Sequence, residues 1–142
     1  LAHLAEALSV LGHLTARSHD AVAAMGERLS APIVTAAMVK AGLPAVFVDA
    51  RKVNITSDEH GRAEPLADDI ALACRGHLAP LVRDGKVPVV GGYIGATRGG
   101  VTTTLGRGGS DYSASLFGAA MEAEAIEIWT DVDGMLTADP RV

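Results

Sequence analysis

The chain has 142 residues, 49% of them hydrophobic and 20% charged, which is typical of one globular domain. Its formal net charge of −5 at pH 7 argues against nucleic acid as a partner, because a phosphate backbone needs a basic face. No run of about 18 apolar residues occurs, so the sequence predicts no membrane-spanning helix and no membrane partner. Cys74 is the single cysteine, which excludes an internal disulfide and favours a reducing, cytoplasmic environment.

The first third of the chain predicts three successive helices. Leucines recur at helical spacing over residues 1–17, from the first residue onward and with no capping residue before them. Ser18 and Asp20 are candidate N-caps of a second helix. Pro32 suits the first turn of a third helix, which runs to Lys40 and ends before a Gly-Leu-Pro turn.

The remaining segments alternate between strand and helix patterns. They predict, in order, a buried strand over 45–49, a polar loop over 51–65, a helix over 66–84, a buried strand over 87–90, a buried helix over 110–123 and a strand over 126–130. Strands that alternate with helices indicate an α/β fold with a mainly parallel sheet.

The segment with the clearest chemistry is residues 106–112 (GRGGSDY). Its glycines allow the backbone to approach a ligand closely, and the N-terminus of the following helix attracts anions. Arg107 adds a planar fork suited to a carboxylate or a phosphate. The alternative is a structural one, in which Gly108 and Gly109 form a tight turn and Ser110 or Asp111 caps the helix.

The wider sequence resembles the aspartate kinases of the amino-acid kinase superfamily. The resemblance rests on residues 25–31 (MGERLSA), 49–65 (DARKVNITSDEHGRAEP), 91–112 (GGYIGATRGGVTTTLGRGGSDY) and 127–141 (EIWTDVDGMLTADPR). It implies a three-layer αβα sandwich of mainly parallel strands, with residues 1–142 as part of a single catalytic domain that is incomplete at both ends. It also separates the chain from kinases that act on acetylglutamate, glutamate or UMP.

The resemblance implies a binding site for the amino-acid acceptor. In such a site Arg107 binds a carboxylate of L-aspartate, and the loop of Gly108, Gly109 and Ser110 closes around the amino acid. Glu27 pairs with the ammonium group of the substrate. The reaction that these roles imply is ATP-dependent phosphorylation of the aspartate side chain to 4-phospho-L-aspartate, the first step of lysine, threonine and methionine biosynthesis.

The resemblance also implies a nucleotide site. Thr130, Asp131, Leu136 and Arg141 border the ATP, with Leu136 at a position where many family members carry a tyrosine. Asp111 orients the lysines that clamp the phosphates, and Arg107 and Asp111 are the expected catalytic residues. Mg²⁺ is expected to bridge the phosphates, held mostly by the nucleotide itself, with no metal-ligand cluster in the protein. The parent enzyme is expected to be a cytoplasmic homo-oligomer.

Two alternatives remain open on the sequence. One is an amino-acid kinase with another acceptor. The other is a catalytically inactive module for nucleotide or amino-acid binding or for assembly. The second is motivated by the lysines, since Lys40, Lys52 and Lys86 all lie outside the ligand motifs.

Overall fold

The computed structural model of the chain describes residues 15–129. Its helices are α1 (Ala16–Lys40), α2 (Ala67–His77), α3 (Ala79–Arg83) and α4 (Gly109–Ala120). Its strands are β1 (Ala45–Val48), β2 (Ile55–Thr56), β3 (Val87–Val90), β4 (Ile94–Thr97) and β5 (Thr102–Thr104), and a 3-10 turn covers Ala50–Lys52.

Helix α1 is continuous where the sequence predicted two helices. The N-cap is Thr15, whose hydroxyl accepts a hydrogen bond from the Ser18 N–H at 3.1 Å, so the predicted caps at Ser18 and Asp20 are wrong. Pro32 lies inside the helix. Proline costs one internal hydrogen bond there, but contacts of α1 with β1, β3 and β5 hold both halves in place. The predicted end at Lys40 is confirmed.

Within residues 15–129, α1 is also the one helix whose length and composition would allow it to cross a membrane. A single helix near the start of a chain is weak evidence for that role. The side chain of Asp20 on this helix is fully buried among polar partners, which favours packing within the protein. The absence of a membrane partner stays a prediction.

The strands form two small sheets. β1 and β3 pair in parallel, with Ala45 opposite Val87 and Val48 opposite Val90. Both segments are strands, as predicted, but the predicted burial is wrong in the described structure, where Val48 alone of the two strands is buried and Phe47 and Val87 are exposed. β2 and β4 are also parallel, and β4 and β5 form an antiparallel hairpin. The predicted loop over 51–65 therefore contains a short strand, and the glycine-rich region after β3 contains two.

The main core lies between α2, β1 and α4. Its buried members are Val48, Val53, Ile70, Cys74 and Leu78, against which Leu116 and Phe117 of α4 pack. Each fully buried aliphatic side chain of this kind stabilises the fold by about 1.5–3 kcal/mol. Burial raises the pKa of the Cys74 thiol, which keeps it protonated and consistent with a packing role.

Three sequence predictions about the helices and the last strand are wrong. The helix over 66–84 is split at Leu78 into α2 and α3, because Pro80 lies in the first turn of a new helix. In α4 only Gly109 and Ser113 are buried. The predicted burial of this helix is therefore wrong. A helix that is apolar on nearly every side gives no indication of which face will pack, and within the described residues one face of α4 contacts α2. Residues 126–129 form no strand, and residue 130 lies outside the described part.

Candidate functional site

Two glycines directly after β3 bring α1 and α4 together. A Cβ on Gly91 would lie 3.3 Å from the Glu27 Cβ and 3.5 Å from the Glu27 Oε2. A Cβ on Gly92 would lie 3.0 Å from the Ser110 Cα and 3.3 Å from the Ser110 Oγ. Glu27 and Ser110, which are distant in sequence, thus flank the same pair of glycines at the carboxyl end of a parallel strand. Ligands commonly bind at that end of open α/β sheets.

Glu27 faces this point because of its position on α1. Ala24 and Ala31, three residues before it and four after it, are both buried and share its side of the helix. Their small side chains allow α1 to pack closely on the strands, and the half-buried Glu27 carboxylate then reaches the glycine pair. A carboxylate with part of its surface open to solvent is suited to an ammonium group.

Tyr93 links the end of β3 to the start of α4. Its N–H lies 3.1 Å from the Ser113 Oγ and 3.3 Å from the Gly109 carbonyl oxygen, and its own carbonyl accepts from the Leu105 N–H at 2.9 Å. Its φ of 66° is in the left-handed region, which costs a bulky residue about 1–3 kcal/mol. Sequence reasoning missed this residue, although an aromatic residue directly after two glycines at a strand end is a recognisable signal.

The GRGG loop, residues 106–109, is a left-handed turn. Gly106 and Gly108 both have φ of 75°, and the Gly109 N–H donates to the Gly106 carbonyl at 3.1 Å. The N-cap position of α4 is Gly108, and no side chain caps this helix in the described structure. The tight turn of the structural alternative is therefore present, but the predicted capping by Ser110 or Asp111 is wrong. Both residues lie in the first turn of the helix itself.

Arg107 and Asp111 project from this region. Both are exposed, and their side chains make no hydrogen bond or ion pair to other residues of 15–129. Arg107 lies in the turn and Asp111 directly follows Ser110, so both are within three residues along the chain of the residue that packs against Gly92. The predicted nucleotide residues Thr130, Asp131, Leu136 and Arg141 lie outside the described residues.

A mostly apolar cavity of about 350 Å³ adjoins the glycine pair between β3 and α4. Its lining includes Val90, Gly92, Ser110 and Phe117, whereas neither Glu27 nor Arg107 lines it. A larger cleft of about 770 Å³ lies elsewhere, beside Arg98, and does not include Glu27 or Ser110. No group of three or more His, Cys, Asp or Glu residues that could hold a metal ion occurs within 15–129.

The chain matches a family model and several characterised proteins. The model describes the amino acid kinase family and matches residues 2–142. Lysine-sensitive aspartokinase 3 of Escherichia coli (strain K12) is 42% identical over 123 residues, which are 87% of this chain and 27% of the relative. An aspartokinase of Chlamydia muridarum (strain MoPn / Nigg) is 39% identical over 131 residues, which are 92% of this chain and 29% of the relative.

The fold is also similar to that of a solved structure. The crystal structure of E. coli aspartokinase III in complex with aspartate and ADP matches 98% of this chain with a TM-score of 0.84 and 36% identity. The match covers 32% of that protein, so the chain spans 27–32% of the length of the proteins that it matches here. These matches confirm the resemblance to aspartate kinases and the predicted αβα fold class, of which this chain covers a part. Since the family model extends over residues 2–142, the chain belongs to the amino acid kinase family.

Proposed function

We propose that these residues are part of the catalytic domain of a longer aspartate kinase, which transfers a phosphoryl group from ATP to the side chain of L-aspartate. The observation that carries the proposal is the convergence of Glu27 and Ser110 on Gly91 and Gly92, next to the GRGG loop. The relatives named aspartokinase support it, as does the similar E. coli structure, which contains aspartate and ADP.

In the proposed site the amino acid lies between α1 and the GRGG loop. Glu27 pairs with its ammonium group, and Arg107 binds one of its carboxylates with two parallel hydrogen bonds. The loop of Gly108, Gly109 and Ser110 closes around the amino acid at the start of α4, where the helix dipole favours negative charge. Gly108 and Ser110 contribute backbone N–H groups, whereas the Gly109 N–H is bonded to the Gly106 carbonyl. Ser110 also places a hydroxyl beside Gly92, where it can donate to the substrate.

The proposed phosphoryl transfer does not need a strong general base. The side-chain carboxylate of aspartate is ionised at pH 7, and one of its oxygens attacks the γ-phosphorus of ATP. A new oxygen–phosphorus bond forms, the bond from the γ-phosphorus to the bridging oxygen breaks, and ADP leaves with that oxygen. Since the reacting groups are all anionic, positioning and positive charge supply the rate enhancement.

The nucleotide half of the site is assigned by resemblance. We propose that Thr130, Asp131, Leu136 and Arg141 border ATP, and that Asp111 orients phosphate-binding lysines. A structure of the complete enzyme with an ATP analogue checks this, and adenosine beyond a side chain's reach of the first four residues would contradict it. Mg²⁺, bound mainly by the phosphates, would neutralise their charge.

We expect the phosphate-binding cations to come from segments beyond the described residues. Lys52 lies in the 3-10 turn after β1 and lines a cleft that does not include Glu27. Lys86 directly precedes β3, whereas Gly91 directly follows it, so this lysine lies at the opposite end of the strand from the glycine pair. Lys40 ends α1, more than three turns beyond Glu27. A longer enzyme of the relatives' size would supply further lysines, and we propose for it a cytoplasmic location and a homo-oligomeric state.

The decisive experiment is an acceptor trial with the complete enzyme, ATP and Mg²⁺. Aspartate, glutamate and N-acetylglutamate are supplied in turn, and the acyl phosphate is trapped with hydroxylamine. Aspartate hydroxamate formed in preference to the other two supports the proposal. Preference for another acceptor would identify a different amino-acid kinase, and nucleotide binding without turnover would identify an inactive binding module.

A further inference from the structure

A second carboxylate on α1, that of Asp20, is fully buried and has no role in the proposed reaction. Its Oδ1 accepts from the Thr104 hydroxyl at 2.6 Å, and both of its oxygens lie 3.0 Å from the Gly61 N–H. The His60 Nδ1 is 2.8 Å from Oδ2. Burying a carboxylate is costly unless donors surround it, and here three different residues supply them.

These partners lie next to the start of the GRGG loop, both in contact and along the chain. Thr104 ends β5, two residues before Gly106, and its carbonyl accepts from the Ala63 N–H at 2.9 Å. A Cβ on Gly106 would lie 3.3 Å from the Gly61 carbonyl oxygen. The segment that Asp20 holds through Gly61 therefore packs directly against the first residue of the loop.

The same helix thus contacts both sides of the acceptor site. Asp20 and Glu27 are seven residues apart, which is about two helical turns or roughly 10 Å along the axis. Glu27 lies against Gly91 at the end of β3, while Asp20 is bonded to Thr104 at the end of β5. A rigid helix between these points sets the distance from the Glu27 carboxylate to the start of the loop.

We propose that Asp20 is a positioning residue for the acceptor site, holding the GRGG loop at a set distance from Glu27 so that Arg107 and Ser110 meet the bound amino acid. The inference rests on the proposed function. Asparagine at this position keeps the shape but replaces one acceptor oxygen with an NH₂ group, which then faces a donor. The loop start loses an anchor, whereas Glu27, Arg107 and Ser110 are unchanged.

The test compares Asp20→Asn with Thr104→Val and with a control, Thr35→Val, in the complete enzyme. Thr35 is a buried hydroxyl on the same helix, bonded only within it to the Ala31 carbonyl at 2.7 Å. We expect Asp20→Asn and Thr104→Val to raise KM for aspartate about tenfold, with KM for ATP within about twofold of wild type. Thr35→Val should lower thermal stability and leave both KM values unchanged.

Limited trypsin digestion measures how accessible the GRGG loop is to cleavage, independently of catalysis. Asp20→Asn should speed cleavage after Arg107 about tenfold relative to cleavage after Arg98, which lies exposed in the turn between β4 and β5. General destabilisation would raise both rates together. The inference requires the KM shift and the selective cleavage, and the absence of either overturns it. A wild-type enzyme that does not phosphorylate aspartate would instead overturn the proposed function.

Discussion

Gly92 lets the end of β3 approach the backbone of Ser110, since a Cβ on this glycine would stand 3.0 Å from the Ser110 Cα. The neighbouring atom is part of the first turn of α4 and not the flexible end of a side chain. The separation between β3 and the GRGG loop therefore depends on the residue at position 92.

We expect Gly92→Ala to displace α4 from β3. Overpacking of this kind costs about 1–3 kcal/mol of stability, and KM for aspartate should rise with it. Urea denaturation and steady-state kinetics of the complete enzyme measure the two effects. The matched control is Gly76→Ala in α2, where a Cβ meets nothing within 4 Å and where alanine should stabilise by about 0.5–1 kcal/mol. Equal behaviour of the two variants would contradict the assigned contact.

Arg107→Ala tests the proposed carboxylate contact. Loss of a charged partner of the bound substrate should lower kcat/KM for aspartate, by an amount equivalent to about 2–4 kcal/mol of transition-state stabilisation. Folding should change little because the side chain is exposed. Steady-state kinetics and thermal melting measure these effects. Arg83→Ala, which removes an exposed arginine from the end of α3, is the control. Unchanged aspartate kinetics in the Arg107 variant would remove this residue from the site.

The Asp49–Arg51 pair predicts a pH-dependent contribution to stability. The Arg51 guanidinium donates to the Asp49 Oδ1 at 3.0 Å, and this hydrogen bond lowers the pKa of Asp49 below its usual value, against the opposing effect of burial. A lowered folded-state pKa stabilises the fold at every pH above the unfolded value of about 3.9. That stability is lost as the pH falls through the folded pKa.

Asp49→Asn should therefore destabilise the protein by about 0.5–1.5 kcal/mol at pH 7. The effect is small because the pair is partly exposed and solvent screens its charges. The difference from wild type should shrink at pH values below about 4. Urea denaturation across this range measures it, with Asp84→Asn, at an exposed position after α3, as control. A difference that is constant with pH would show that the ion pair is not its cause.

The 142-residue chain by itself should have no useful kinase activity. Phosphoryl transfer depends on cations placed against the β- and γ-phosphates, and Lys86 lies at the far end of β3 from the glycine pair. Loss of one such preorganised contact typically costs about 10²- to 10³-fold in rate. Hydroxylamine trapping with residues 1–142 alone measures it. Turnover within about tenfold of the complete enzyme would show that other residues of this chain bind the phosphates.

The sequence alone determined the features that depend on local pattern. The apolar runs at 45–49 and 87–90 contain β1 and β3, because short β-branched segments favour strands. The glycines of the GRGG loop form the expected turn, since positive φ is accessible to them at no steric cost. Cys74 packs in the core with Ile70 and Leu78, and the spacing of these three residues at helical intervals is visible in the sequence.

The tertiary structure decided which residues meet and which face of each helix is buried. Pro32 is a local stop signal, but the contacts of α1 with three strands outweigh its cost. The local sequence suggests a capping role for Asp20. Its actual partners, Gly61 and Thr104, lie far along the chain, so no local pattern indicates them. The position of Glu27 against Gly91 is likewise a long-range contact. Hydrophobic periodicity indicates the secondary structure of one segment, whereas these contacts depend on how separate segments pack together.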